Sequence, residues 1–373
     1  MAGRWQRLYR GETTVDFYGR RRYGFIFSGA LLVVTVVSLF AQGLNLGIDF
    51  KGGVAWEAPV SGQLTIESAK QILEDAGIEE RSAKFQVLSS GSDQRLRIQA
   101  GEQTEAVQTD VRTKLAEKAG SGEDSVSVAT VSSTWGRSIT SKAVRALLVF
   151  MLFVSIFISW RFEWGMALSA IAAMVHDVGI SVGVYSVLGL EVTPATVVAF
   201  LTILGFSLYD TIVVFDKVHD NTKKYSASRV SYGDITNVSM NQVLMRSINT
   251  SLAAVLPVLS LLILGSWILG AVALQEFALA LLVGMFLGAY SSIYIATPLL
   301  GILKTRETKF KPMASELHLG EEMSRIANSG KKPSRVASAD SSASGTAETV
   351  TREVASVTAV LSHPPRPRKK QHR

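Results

Sequence analysis

The sequence contains no cysteine, which excludes disulfides, zinc–cysteine sites, iron–sulfur centres and thiol nucleophiles together. Charge is scarce as well. Only 18% of the 373 residues are Asp, Glu, Lys or Arg, against about a quarter in soluble domains. HExxH, Walker A and nucleophile-elbow strings are missing, so no motif points to zinc proteolysis, nucleotide hydrolysis or serine hydrolysis. No cofactor or metal is expected. What is abundant is apolar, 47% of residues, gathered into long runs. That composition predicts a polytopic α-helical membrane protein and argues against a single water-soluble core.

Six runs are long enough to cross a hydrocarbon layer, near 23–43, 143–160, 164–190, 193–215, 247–268 and 277–303, since crossing takes about 20 residues. The net charge of +7 has a local origin. Residues 304–373 hold 14 Lys/Arg against 7 Asp/Glu, while 44–141 hold 10 against 14. The charge is therefore no argument for a nucleic-acid partner; it bears on topology. Residues 1–22 carry six Arg, and 216–246 carry five Lys/Arg against three acids. The connections 191–192 and 269–276 carry no Lys or Arg. By the positive-inside rule both termini are expected in the cytoplasm, with 44–142 exported between spans one and two.

The exported segment alternates in the order β-α-β-β-α-β. Strands are predicted at 54–58, 83–89, 94–100 and 125–131, and helices at 65–77 and 104–120, with Gly77 and Gly120 where helix C-caps belong. This order is the ferredoxin-like α+β pattern. Residues 304–373 form a basic tail, Ser/Ala/Thr-rich at 338–349 and Pro-rich at 363–373. Composition predicts it to be largely disordered.

An ionisable group inside a span is costly and is read first as functional. Asp177, after His176, lies in the third run, Asp210 in the fourth, and Arg246 opens the fifth. Asp210 and Arg246 are equidistant from residue 228, so an antiparallel helix pair brings them to one height. They read as a proton-binding acid with its counter-charge, or as a structural ion pair. Ser207, Thr211, Asn249 and Thr250 could hold water between them. Asp177 reads as a second proton relay or as a packing acid capped by hydroxyls. Glu276, at the outer start of the sixth run, reads as an anchor at the wet interface.

Several strings resemble one family in order. LGIDFKGG (46–53), with Gly47, Asp49, Gly52 and Gly53, is similar to the glycine motif of the SecD/SecF family. Residues 176–221 and the last two runs resemble that family's spans, with Tyr209 and Val218-His219-Asp220 departing from its usual residues. The resemblance implies a resistance-nodulation-division-type six-helix bundle in a bacterial inner membrane. It implies a SecD partner, the SecYEG channel and SecA motor, with YidC as a further candidate, and translocating preproteins as clients. It also places the proton-path acid on Asp210 and its basic partner on Arg246. A drug or lipid exporter, an intramembrane aspartyl protease using Asp177 and Asp210, and a passive scaffold remain as rivals.

Overall fold

Each apolar run becomes a helix, and four of the six helices continue beyond it. The computed structural model describes residues 13–61, 63–90, 93–225, 230–268, 272–313 and 316–329. Long helices α1 (Arg21–Ala41), α5 (Ser133–Arg161), α6 (Trp164–Leu188), α7 (Pro194–Lys224) and α8 (Tyr232–Leu262) precede a sixth span, built from α9 (Val272–Ser291), a π-turn (Ser292–Ala296) and α10 (Thr297–Thr305). All six spans are apolar enough to cross a membrane. The extensions are polar turns that a hydropathy window cannot see but that caps define. Ser132, Thr193 and Ser231 each accept a backbone N–H at a helix start, satisfying donors the helix cannot. Pro257 lies inside α8, and a second π-turn, Ile263–Ile268, follows that helix.

Helix α6 is the axle of the bundle, with 56% of its apolar window buried. Ala167, Ser169, Ala170 and Ala173 line its buried face, and such small residues let helix backbones approach. By contrast, only 6% of the α5 window and 11% of the α8 window are buried.

The segment between the first two spans folds as predicted. Strands β1 (Gly53–Pro59), β2 (Lys84–Ser90), β3 (Asp93–Ala100) and β4 (Ser127–Val131) form one antiparallel sheet in the order β2-β3-β1-β4. Helices α3 (Ile66–Asp75) and α4 (Glu105–Ala119) cover one face, where Val54, Trp56, Leu96 and Ile98 join Leu73, Val111 and Leu115 in a core. Period-two alternation sends Lys84, Arg97 and Gln99 to the opposite face. A four-residue helix, α2 (Ile48–Lys51), links α1 to β1.

At the other end of the bundle, the first turns of α8 are buried although polar. The side-chain amide of Asn241 pairs with both backbone groups of Val15, at 2.9 and 2.8 Å. Asn237 accepts from the N–H groups of Phe17 and Tyr18, at 2.9 and 2.7 Å. Here the tail departs from expectation. Helix α11 (Glu321–Ser329) lies on α8, with Met323 buried and Ile326 against the bundle core. Met323 and Ile326 are three apart and share one helix face, a local pattern lost when composition is averaged over 70 residues. The 338–349 and 363–373 tracts lie outside the described residues, as does residue 228.

Candidate functional site

Helix α7 places Ser207, Asp210 and Thr211 on one face, three and four residues apart. All three are buried. Helix α6 brings Asp177 to the same interior and α9 brings Ser291. The approach of α9 depends on Gly288, because a Cβ there would lie 2.8 Å from the Cβ of Ser207.

The two acids are held differently. Asp177 is 1% exposed. One of its oxygens accepts from Ser207 and Ser291 hydroxyls at 2.6 and 2.7 Å, and the other lies 3.0 Å from His176 Nδ1. Asp210 is 3% exposed. Its Oδ1 accepts from the Ser247 hydroxyl at 2.6 Å, while its Oδ2 is buried with no hydrogen-bond partner among the described residues. Next to the Ser207 backbone lies a pair of hydroxyls. Thr211 and Ser292 hydroxyls stand 2.8 Å apart, both within reach of the Ser207 carbonyl, at 3.1 and 3.3 Å. Among the described residues no hydrogen bond joins the two carboxyls.

The structure brings Ser207, Thr211, Asp177 and Asp210 into one buried interior. Arg246 is not among them. It is exposed on α8, and no ion pair involves it among the described residues. Its neighbour Ser247 meets Asp210 instead, because a helix turns about 100° per residue and the next residue presents a different face. Asn249 is exposed, and the Thr250 hydroxyl donates back to the Arg246 carbonyl at 2.8 Å. Sequence reasoning missed Ser247, Ser291 and Ser292. Serines are common in spans, and only the π-turn starting at Ser292 marks that pair as unusual.

The glycine motif lies elsewhere, at the junction of the helix bundle and the sheet domain. Asp49 is half-buried there, and burial, together with nearby Glu191, raises its pKa against the lowering effect of Arg97. Glu276 is half-buried at the same junction, not a free interfacial anchor, and its backbone carbonyl accepts from Tyr185 at 3.3 Å.

A family described as "Protein export membrane protein SecD/SecF, C-terminal" matches residues 111–306, more than half the chain. The chain belongs to the SecD/SecF family. The SecD/SecF GG motif matches residues 37–54. "Protein translocase subunit SecF" of Mycobacterium leprae (strain TN) is 38% identical, over 97% of this chain and 82% of its own length. The protein of the same name from Streptomyces coelicolor is 40% identical, over 82% and 81%. The crystal structure of SecDF from Thermus thermophilus, called a translocon-associated membrane protein, superposes with a TM-score of 0.71 at 32% identity. The superposition covers 79% of this chain and only 39% of that one, so the chain spans about two fifths of that structure's length.

Proposed function

We propose that this protein is the SecF-type half of a proton-driven export machine, and that Asp210 carries the proton. The chain is a membrane protein of a protein-translocase family. The single-chain SecDF relatives of Bacillus subtilis and Thermus thermophilus each extend well beyond it, the match covering 39% of both. That relation supports a SecD-type partner supplying the remaining part. The clients would be preproteins passing through SecYEG with SecA, and the basic flanks support cytoplasmic termini.

The observation that carries the proton role is the lone oxygen of Asp210. A buried polar atom without a partner is rare and calls for an explanation. In a membrane interior the fitting occupants are a proton or a water. Arg246 lies at almost the same height as Ser247, so a turn of α8 by about 100° exchanges the serine for the guanidinium. Pro257 and the π-turn after Leu262 uncouple the C-terminal part of α8 from such a turn, and the N-terminal part must slip the contacts of Asn237 and Asn241 with residues 15–18 to make it. In this reading the acid is ionised when paired with Arg246 and protonated when paired with Ser247. Asp177 joins as a second relay through Ser207. The driving force is about 2.3 kcal/mol per charge per 100 mV, plus about 1.4 kcal/mol per pH unit.

Asp210→Asn keeps the shape and removes the titrating group. In inverted membrane vesicles it should abolish the proton-dependent part of preprotein export, with protein level and SecD co-purification unchanged. Full activity of a stable, partner-bound Asp210→Asn protein would remove the proton role and favour a scaffold.

A further inference from the structure

Covalently, the exported domain hangs from the bundle by two connections, residues 42–52 after α1 and residue 132 before α5. Two connections close together would make a hinge. The structure adds a third contact that neither the strand pattern nor the proton site requires. The loop joining α6 to α7 forms a parallel bridge with the segment after α1, Leu46 to Val192. Val192 N–H donates to Asn45 O at 2.8 Å, Gly47 N–H to Val192 O at 3.0 Å, and Asn45 Nδ2 to Gly189 O at 2.8 Å.

Out of this loop Glu191 reaches the polar face of the sheet. Its side chain is 3% exposed. It accepts from Gln99 Nε2 of β3 at 2.8 Å and from Lys84 Nζ of β2 at 3.2 Å. A carboxylate this buried is tolerated only when its oxygens are paired, and its removal would leave buried Gln99 without an acceptor. The glycine motif makes the space. A Cβ on Gly47 would fall 2.7 Å from Glu191 Oε1. Gly53, at φ +138°, would put one 2.3 Å from the Ala100 carbonyl, at the end of the strand that carries Gln99. Gly52, at φ +81°, would meet Ser133 where α5 begins, at 2.5 Å. Three separate segments cross at this motif because no side chain stands in the way.

Helices α6 and α7 carry Asp177 and Asp210, and their outer connection is the loop that grips β2 and β3. We propose that Glu191 is a positioning residue that makes the exported domain follow the outer ends of α6 and α7. Movement around the proton site is then handed to the exported domain through this carboxylate. The mechanical half of the proposal stands on geometry alone; the transmission half rests on the proton-driven reading above.

The cysteine-free sequence allows clean labelling of the full chain, co-expressed with its SecD-type partner. Spin labels at Glu117→Cys on α4 and Leu168→Cys on α6 report the distance between domain and bundle. The parent should give one narrow distribution, and Glu191→Ala and Gln99→Leu should each broaden it. In vesicles both variants should keep proton uptake within about twofold of the parent while losing stimulation of export. Glu191→Gln, which can still accept from Gln99, should restore at least half of that stimulation. An unchanged distribution in both variants overturns the proposal, and so does parallel loss of proton uptake and export. If the parent shows no proton uptake, the proton reading fails by itself. The distance distribution then decides the joint: broadening upholds it and no change overturns it. Should Glu191→Ala fail to insert, Gln99→Leu carries both measurements.

Discussion

Ser247 makes the only hydrogen bond to the Asp210 carboxyl among the described residues. Ser247→Ala therefore removes the partner while leaving the acid in place. In that state the acid is neutral, and a neutral hydrogen bond contributes about 0.5–1.5 kcal/mol, so proton uptake should fall about twofold to tenfold. Ser247→Thr, which keeps the hydroxyl, should restore most of it; equal uptake by the alanine variant and the parent would count against the Ser247-paired state. Arg246→Met should impair export comparably, whereas Arg246→Lys keeps a cation and should retain part. The same residues show how much of the site the sequence held. Asp177 and Asp210 stood out because an acid in an apolar run is anomalous. Ser207 and Thr211 followed by helix spacing from Asp210. Rotation of α8 was not readable, since depth along two antiparallel helices says nothing about which face they turn to each other. That single unknown made Arg246 the expected contact in place of Ser247. Glu191 stayed hidden for another reason: its partners Lys84 and Gln99 are about 100 residues away in sequence, and an acid in a two-residue outer loop reads as solvated.

Elements are bounded by caps and by what packs on them, and α8 shows both. Its buried polar start exists because residues 15–18 and 318–326 cover it. Asp234, fully buried, accepts from His318 N–H and lies 2.7 Å from its Nδ1. That carboxylate raises the His318 pKa above its ordinary value of about 6.5. The protonated imidazolium is the form that pairs, so this stabilisation is complete below about pH 6.5 and is lost as pH rises through the raised value. Thermal midpoints in detergent should fall from pH 6 to pH 8.5 in the parent, and His318→Gln should flatten that slope; a parallel slope in both would remove the pair from the account. Truncation separates the tail into two parts. Ending the chain after Ser329 should leave export intact, whereas ending it after Met313 strips the cover from α8 and should lower both thermal midpoint and protein level. The four-stranded sheet was legible because alternation and turn glycines are local signals, while α11 was not, because nine residues of amphipathic pattern sat inside a basic, Ser-rich stretch.

For the molecule as a whole, the sparsely buried windows of α5 and α8 leave Leu148, Leu152, Phe153, Ile156, Leu252 and Leu256 exposed. Cysteine cross-linking from positions 149, 152 and 156 and from 248, 252 and 256 should capture a SecD-type chain on one face. Recovery of lipid contacts alone from both faces would argue against a heteromeric bundle. A reporter fused within 101–104 should prove exported; a cytoplasmic signal would invert the assigned topology. Timing follows from the covered start of α8. Tyr18 bonds to a residue 219 positions later, and His318 to one 84 positions earlier. At about 5–20 residues per second, the first segment waits roughly 10–40 s after its own synthesis for its partner to emerge. The second closes only when α11 leaves the ribosome. One helix face thus becomes complete after all six spans have been made, and a chain cut short or inserted out of order leaves that face bare to quality-control proteases.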